Sequence, residues 1–493
     1  MRKTIVKYIL GKILIVESCF MVLPLIVSFI YKESYLEKIH FIIPILLCFF
    51  VGKVLEHFGD SKARYYTKEA FLSVGLGRIF LSLFGAIPLF LEKEVYPTYI
   101  DAFFEMVSGF TTTGAGVALD VELLPHSILF WRSFSHFVGG MGVLVFTLAI
   151  LPKVNKQASF LMKAEVPGPT FGKIVSKLSD SAKMLYKMYT ALTVVLIIFL
   201  LFGGLNLFDS MIFAFGAAGT GGFANYNLSA GAFNSRYVEV VLTIGMLVFG
   251  VNFNLYYYAL IKNVREAFDS EEFKFYIAIV VFASILVFIN IYGMYKSVSY
   301  TLINSFFTVS SIITTTGYVT VDFGKRPLFS RTILIILMFI GGCAGSTAGG
   351  IKVSRVLVAV KSALNEMKKS ISPKRMLLIN VDKKTENEEI VNSTLNYFIV
   401  YAMLFLLFLL IISFESKDFE TAFAAVATTF NNVGPGLGLF GPMENFHSMS
   451  QFGKLVLSFA MLMGRLEIFP ILLLFSPKTW KSSRKNKDFE EKL

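Results

Sequence analysis

The sequence is poor in charged residues. Asp, Glu, Lys and Arg make up only 16% of its 493 positions, whereas hydrophobic residues make up 55%. A soluble protein of this length normally carries about 25% charged residues. This composition excludes an ordinary soluble protein and indicates a chain that lies largely within a membrane.

Cysteine is also scarce, and the sequence lacks the usual signatures of catalysis. Cys19, Cys48 and Cys343 are odd in number and have no metal-ligand spacing, which excludes a disulfide framework and a cysteine metal site. The predicted spans carry no paired Asp, Ser–His or His–Glu constellation. The chain has no Walker or dinucleotide-binding glycine pattern either. We therefore predict no enzyme activity and no cofactor within this chain.

The formal net charge of +12 is unevenly distributed. Basic residues collect in connections near 153–187 and 361–384 and in the tail from residue 478, whereas the opposite connections are short and nearly balanced. This is the positive-inside bias of membrane proteins, and it places both termini in the cytoplasm. A lysine-rich loop of this kind attracts anionic lipid without any protein partner. No basic groove with interleaved aromatic residues is present, so we exclude a nucleic-acid partner.

Long apolar stretches predict the spans. A helix needs about 20 mostly apolar residues to cross a bilayer core of roughly 30 Å. Glu17 and Pro24 interrupt the first stretch and no small-residue cleavage site follows it, which favours a retained helix over a removed signal peptide. Ten spans are predicted, near residues 5–30, 39–58, 70–91, 127–151, 187–203, 237–261, 275–293, 329–360, 394–413 and 452–475.

A fourfold internal repeat is the most informative feature. Each copy reads as a short amphipathic helix of about a dozen residues followed by a loop of small residues. Each opens on a residue suited to an N-cap, namely Asp101, Asp209, Asn304 and Thr421, and has a glycine thirteen positions later. The copies are DAFFEMVSGFTTTGAG at 101–116, DSMIFAFGAAGTGGFA at 209–224, NSFFTVSSIITTTGYV at 304–319 and TAFAAVATTFNNVGPG at 421–436.

The repeat predicts an ion filter. Each short helix cannot span, and irregular backbone at membrane depth is tolerated only where protein buries it or where it lines a water-filled path. Four such loops around one axis would offer carbonyl oxygens to a dehydrated cation. A single TTTG motif could equally serve helix packing, but a constant interval in four copies favours the filter. The predicted filter residues are Thr112, Thr113, Gly114, Thr220, Gly221, Gly222, Thr315, Thr316, Gly317, Asn432, Val433 and Gly434.

The predicted fold is therefore an all-α polytopic membrane protein. Four span/half-helix/filter-loop/span units surround one pore, and two extra transmembrane helices precede them. The boundaries are 1–68 for the two leading helices, 69–152 for the first unit, 153–186 for a cytoplasmic linker, 187–262 for the second unit, 263–360 for the third with a broken second span, 361–393 for another linker, 394–477 for the fourth unit and 478–493 for a basic tail.

At these loops the sequence resembles the Trk/Ktr/HKT superfamily of cation transporters, in its TrkH-type branch. Three further segments are similar to that branch: FWRSFSHFVGGMGVLVFTLAILP at 130–152, LMKAEVPGP at 161–169 and GGCAGSTAGGIK at 341–352. The resemblance implies a homodimer with one pore per protomer and a TrkA-like cytoplasmic nucleotide-binding regulatory subunit. It also implies potassium as the ion, because family members with serine in the first loop permeate sodium and this chain has Gly114 there.

Two features suggest a gate. Five glycines lie within residues 341–350, at a cost of roughly 1 kcal/mol each in a helix, so the third unit's second span should unwind. Arg465 lies inside the last span, where a charge usually faces a polar interior. The alternatives are small-residue helix packing for the first feature and a pair with Glu467 for the second. The gate candidates are Gly341, Gly342, Gly345, Ser346, Gly349, Gly350 and Arg465.

The predicted function is potassium uptake by a channel-like subunit in the bacterial inner membrane. The alternative is a sodium- or proton-coupled cation symporter. Such proteins normally carry acidic residues within their spans, and here the spans hold few of them. His136 and Glu105 are more often packing groups at such positions, and we assign neither of them a role.

Overall fold

The computed structural model describes residues 3–61, 67–142, 178–261, 268–295, 297–372, 379–382, 384–385 and 388–480. Within these ranges the regular secondary structure is helical, apart from one antiparallel pair of two-residue strands, β1 (Asn380–Val381) and β2 (Lys384–Thr385). The segment 161–169, most of the predicted linker 153–186 and the tail beyond residue 480 lie outside the described residues.

Six long helices are apolar enough to cross a membrane, and a seventh span results if one bent pair is counted as a single span. These six helices agree with six of the ten predicted spans. They are α1 (Lys3–Ile30), α2 (Tyr35–His57), α3 (Thr67–Leu91), α6 (Leu178–Phe202), α10 (Glu271–Ile291) and α14 (Glu388–Ser413).

Four short helices follow α3, α6, α10 and α14 in the chain. At 1.5 Å per residue they are about 18 to 24 Å long, too short to cross the bilayer core. Most of their side chains are buried in the protein rather than exposed on its surface. The four are α4 (Tyr99–Phe110), α7 (Leu207–Gly219), α11 (Val298–Ile313) and α15 (Phe419–Phe430).

The short helices begin earlier than the sequence predicts. Their N-caps are Thr98, Asn206, Ser297 and Asp418, so the prediction of Asp101, Asp209, Asn304 and Thr421 as caps was wrong. Asp101 lies three residues after Thr98, and its carboxylate accepts a hydrogen bond from the Thr98 backbone N–H in a capping box. The thirteen-residue interval therefore starts inside each helix.

The helix after each short helix is interrupted or leaves the described residues. The sequence predicts a break only in the third unit, but the second unit bends by 92° between its two helices and the fourth breaks at Glu467 and Ile468, which have positive φ. The break in the second unit exposes the Gly250 carbonyl, which accepts a hydrogen bond from the backbone N–H of Cys343 in the third. These helices are α5 (His126–Gly140), α8 (Arg236–Phe249) and α9 (Phe253–Ile261), α12 (Leu328–Ile340) and α13 (Val353–Ile371), and α16 (Gln451–Arg465), α17 (Phe469–Phe475) and α18 (Pro477–Trp480).

A buried ion pair joins the fourth unit to the first. Lys454 Nζ on α16 lies 2.7 Å from Asp101 Oδ1 on α4, and both side chains are almost fully buried. Lys454 also donates a hydrogen bond to the His447 carbonyl oxygen at 3.1 Å. This contact fixes the N-terminal end of the first short helix against the last unit.

Lys454→Met should therefore destabilise the fold. It leaves Asp101 buried without its counter-charge, and breaking a buried pair costs about 3 to 5 kcal/mol. We expect a clearly lower midpoint of heat-induced unfolding in detergent, and partial recovery when Asp101→Asn is added. Lys325→Met is the matched control, because Lys325 is 83% exposed in its pair with Asp322. An equal effect of the two lysine substitutions would contradict this role of the ion pair.

Candidate functional site

The four loops that follow α4, α7, α11 and α15 have the same backbone course, and we number them loop 1 to loop 4 in chain order. Each has a non-glycine residue in the left-handed region and a glycine with positive φ two residues later. The φ angles are 55° at Thr112 and 81° at Gly114, 56° at Thr220 and 75° at Gly222, 56° at Thr315 and 81° at Gly317, and 56° at Asn432 and 94° at Gly434.

Hydrogen bonds back to the short helix hold each loop. The backbone N–H of Thr113 donates to the Ser108 carbonyl at 2.8 Å, and that of Thr112 donates to the Gly109 carbonyl at 3.1 Å. This pair of bonds with a left-handed residue is a Schellman motif. In the other three loops, Gly221, Thr316 and Val433 make the bond that Thr113 makes, at 2.8 to 2.9 Å. Each helix therefore ends abruptly, and its loop starts in a fixed direction.

The four loops contact one another in a closed cycle. A Cβ atom built on Gly114 would lie 1.9 Å from the Gly221 carbonyl oxygen, so loop 1 abuts loop 2. The same construction places Gly222 against Thr316 at 2.0 Å and Gly317 against Val433 at 2.3 Å. It also places Gly434 against Thr113 at 2.6 Å, which returns the cycle to loop 1. We call this arrangement the loop ring; it brings together all twelve predicted filter residues.

The four members of the loop ring differ in their side chains. Asn432 donates a hydrogen bond from Nδ2 to Thr113 Oγ1 at 2.9 Å and another to the Met461 carbonyl at 3.0 Å. It therefore links loop 4 both to loop 1 and to α16. Asn432–Val433 departs from the Thr–Thr pattern of the first and third loops, and this cross-link is a contact that a threonine there could not donate in the same way.

A cleft opens on one side of the loop ring. The four ring glycines with positive φ line it, together with polar residues of the connecting segments such as Asn227 and Glu444. Tyr226, also in its lining, donates a hydrogen bond to Asp209 Oδ2 at 3.0 Å. Burial and this hydrogen bond raise the pKa of Tyr226 to about 12, so its hydroxyl stays protonated. The cleft gives the ring a route to solvent.

The predicted gate segment contacts the loop ring from another direction. Residues 341–352 contain no helix, and Gly341, Gly345 and Gly350 have positive φ. Gly349 donates its backbone N–H to Thr315 Oγ1 at 2.6 Å, and Gly350 donates to the Asn431 carbonyl at 3.1 Å. We call 341–352 the gate segment; its far end touches loops 3 and 4.

Arg465 connects the gate segment to the first unit. Its guanidinium donates to the Thr347 carbonyl at 2.5 Å, and to the Gly139 and Gly140 carbonyls at 3.1 and 2.7 Å. Only 6% of the residue is exposed. Glu467, which the sequence offers as a partner for Arg465, forms an ion pair with Arg355 at 2.5 Å. Arg465 therefore bridges the segment and the end of α5.

Three charged or polar groups near this site have contacts that the sequence did not predict. Lys352 is 2% exposed and donates to the Ala348 carbonyl, and Glu272 Oε1 accepts the backbone N–H of Ala344 at 2.6 Å. The sequence places both near the ends of spans, where charges are ordinary, and only the break in the third unit brings them to the gate segment. His136 is the third group, and its Nδ1 lies 2.9 Å from the Gly109 carbonyl.

Glu105 is engaged in packing contacts. Its Oε1 lies 2.6 Å from Arg132 Nη2, and its Oε2 accepts the backbone N–H of Val117 at 2.6 Å. Both members of the ion pair are buried. The pair holds the chain after loop 1 against α4 and α5, which agrees with the packing interpretation of Glu105.

Comparison with known proteins gives consistent matches over nearly the whole chain. Residues 37–482 match the profile of the family TrkH, described as a cation transport protein. The chain is 35% identical to the Trk system potassium uptake protein TrkH of Salmonella typhimurium, over 96% of this chain and 98% of that protein. It is 32% identical to the Trk system potassium uptake protein TrkG of Escherichia coli, over 97% of this chain and 99% of that protein.

A solved structure is also similar. The crystal structure of the potassium transporter TrkH from Vibrio parahaemolyticus is 30% identical in sequence and superimposes with a TM-score of 0.87. The match covers 98% of this chain and 100% of that chain. The similarity therefore extends over the loop ring, the gate segment and the leading helices.

Proposed function

The chain belongs to the TrkH family of cation transport proteins, and we propose that it mediates potassium uptake through the loop ring. The observation that carries the proposal is the closed cycle in which each ring glycine abuts the carbonyl of the next loop. The names of the relatives, which are potassium uptake proteins, support potassium as the ion.

The chemistry of the loop ring suits a dehydrated monovalent cation. Backbone carbonyls can replace the water shell of potassium. The four short helices end at the ring, and the C-terminal end of a helix carries a partial negative charge that favours a cation. No side-chain carboxylate belongs to the twelve filter residues. The ring thus offers dipoles rather than fixed charges, which suits rapid exchange of ions.

The arrangement of the chain follows from this proposal. Four units, at 69–152, 187–262, 263–360 and 394–477, would each contribute one loop to a single pore, with α1 and α2 outside it. The gate segment and Arg465 would close the path until a signal withdraws them. The gate candidates Gly341, Gly342, Gly345, Ser346, Gly349 and Gly350 all lie in that segment.

The setting is a membrane. We propose the bacterial inner membrane with both termini in the cytoplasm, in keeping with the basic connections. The curated relatives carry the words "Trk system" in their names, which supports the presence of other components. A homodimer and a TrkA-like nucleotide-binding subunit on the cytoplasmic side are the components that we propose.

A sodium- or proton-coupled symporter is the alternative, and one observation favours it. Glu17 on α1 is fully buried, and neither carboxylate oxygen has a hydrogen-bond partner among the described residues. Its Oε1 lies 3.1 Å from the Cβ position of Gly85 on α3, and Glu17 is not a member of the loop ring. This position makes coupling through Glu17 the less supported function.

Flux measurements in proteoliposomes separate the two functions. With potassium on one side only, a channel-like subunit should pass potassium without a sodium gradient or a pH gradient. Adding either gradient should change the flux only through the membrane potential, and Glu17→Gln should leave the flux unchanged. Potassium movement that requires one of these gradients, and that Glu17→Gln abolishes, would overturn the channel proposal in favour of symport.

A further inference from the structure

Loop 2 of the ring lacks two side chains that loops 1 and 3 possess. In loop 1 the hydroxyls of Thr111 and Thr113 lie 2.8 Å apart, and in loop 3 those of Thr314 and Thr316 lie 2.8 Å apart. Such a pair ties the end of the short helix to the residue before the ring glycine. The corresponding positions in loop 2 are Gly219 and Gly221, which have no side chain to offer.

Loop 4 has its own replacement for this pair. Asn431 takes the position of Thr111, and its Oδ1 accepts a hydrogen bond from the Tyr401 hydroxyl at 2.7 Å. Val433 takes the position of Thr113 and is fully buried. Three loops therefore have side chains at both positions behind the ring, and loop 2 is the exception.

The imidazole of His136 fills the space behind loop 2. A Cβ atom built on Gly221 would lie 2.3 Å from His136 Nδ1 and 2.5 Å from Cγ. A Cβ atom built on Gly219 would lie 2.2 Å from the His136 carbonyl oxygen. The imidazole also packs on the phenyl ring of Phe223, with 4.3 Å between the two ring centroids. His136 thus occupies the volume that threonine side chains occupy in loops 1 and 3.

The same imidazole is anchored to loop 1's helix. His136 is fully buried on α5, and its Nδ1 lies 2.9 Å from the Gly109 carbonyl near the end of α4. A carbonyl only accepts, so Nδ1 carries the proton in this contact. The imidazole of His136 is therefore held in a fixed orientation between the end of α4 and loop 2.

We propose that His136 is a positioning residue of the loop ring that sets the selectivity of loop 2 for potassium. This inference rests on the proposed function of the ring as an ion filter. The imidazole takes the place of the missing side chain at Gly221, the His136 carbonyl lies where a side chain of residue 219 would begin, and together they fix the position of loop 2 beside loop 1. Selectivity should therefore depend on the fit between residues 136 and 221, rather than on histidine itself.

A double-mutant cycle in proteoliposomes tests this fit, with the potassium-to-sodium flux ratio as the readout. His136→Ala should lower the ratio about tenfold, which corresponds to about 1.4 kcal/mol. Gly221→Thr alone should also lower it, because its Cβ has no room beside the imidazole. Gly221 does not have positive φ, so threonine fits the backbone once the imidazole is gone. The double variant should recover the ratio to within about threefold of wild type.

The controls separate positioning from folding. His126→Ala removes a histidine from the same helix, where the imidazole stacks on Tyr31 rather than on a ring loop, and should leave the ratio unchanged. If His136→Ala fails to fold, Gly221→Ala in the unaltered background should still lower the ratio. The inference would be overturned by an unchanged ratio in the folded His136→Ala protein or in Gly221→Ala. It would also be overturned if the double variant had a ratio no better than that of the worse single variant. Wild-type protein without potassium preference would instead refute the filter function.

Discussion

Gly114→Ser should raise sodium permeation relative to potassium by about tenfold or more, equivalent to at least about 1.4 kcal/mol of lost discrimination. Gly114 has φ of 81°, which side chains rarely adopt, and a Cβ atom would lie 1.9 Å from the Gly221 carbonyl oxygen. Loops 1 and 2 must separate to admit the serine. The carbonyls would then hold a potassium ion less closely than its water shell does.

The effect should be graded around the loop ring. Serine at Gly434 has more room, because the Cβ position there is 2.6 Å from the Thr113 carbonyl oxygen, and should cost less selectivity than serine at Gly114. Gly204→Ser is the matched control, since Gly204 has φ of 87° but no atom within 4 Å of its Cβ position. Reversal potentials in mixed potassium and sodium solutions measure the change. Equal loss of selectivity at Gly204 and Gly114 would attribute the effect to backbone strain alone.

Deleting Gly345–Gly349 should raise unregulated potassium flux by about tenfold or more if the gate segment obstructs the path, a change of at least about 1.4 kcal/mol. The deletion removes Thr347, whose carbonyl accepts from Arg465, and Gly349, whose N–H donates to Thr315 in loop 3. Both contacts hold the segment against the loop ring. Initial rates of potassium entry into proteoliposomes, compared with wild type, give the measurement.

Arg465→Gln tests the same gate without shortening the chain. Glutamine cannot donate at once to the Thr347, Gly139 and Gly140 carbonyls, so the segment should be released more often and flux should rise. Arg331→Gln is the control, because Arg331 contacts the half-exposed Glu420 on the surface at 2.8 Å. Unchanged or abolished flux in folded variants of the gate segment and Arg465 would favour a packing role over a gate.

The signals that predict the short helices and their loops are local in the sequence. A glycine at a constant interval marks a backbone conformation that the structure repeats four times. The caps were misplaced because Thr98 and Asp101 stand in a capping box, where either residue alone resembles a cap. The predicted caps lie three residues inside the helix in the first, second and fourth units and seven residues inside it in the third, and these errors left the loops themselves unaffected.

The sequence pattern could not predict the contacts between units. The bend after α8 depends on Gly250 meeting Cys343, which is far along the chain, so residues 237–261 appear as one apolar span. Lys352 and Glu272 resemble ordinary flanking charges in the sequence, because their contacts with Ala348 and Ala344 form only when the gate segment folds. The position of His136 behind loop 2 could not be predicted either, because it depends on the absence of side chains at Gly219 and Gly221 in another unit.

The ratio of potassium to sodium flux through the purified wild-type protein in proteoliposomes tests the central claim most directly. With equal and opposite gradients of the two ions and no other permeant ion, the reversal potential gives the ratio of potassium to sodium permeability. A filter built from the loop ring predicts that potassium is favoured by about tenfold or more, equivalent to at least about 1.4 kcal/mol of discrimination. Equal or sodium-dominated flux in the folded protein would contradict the claim.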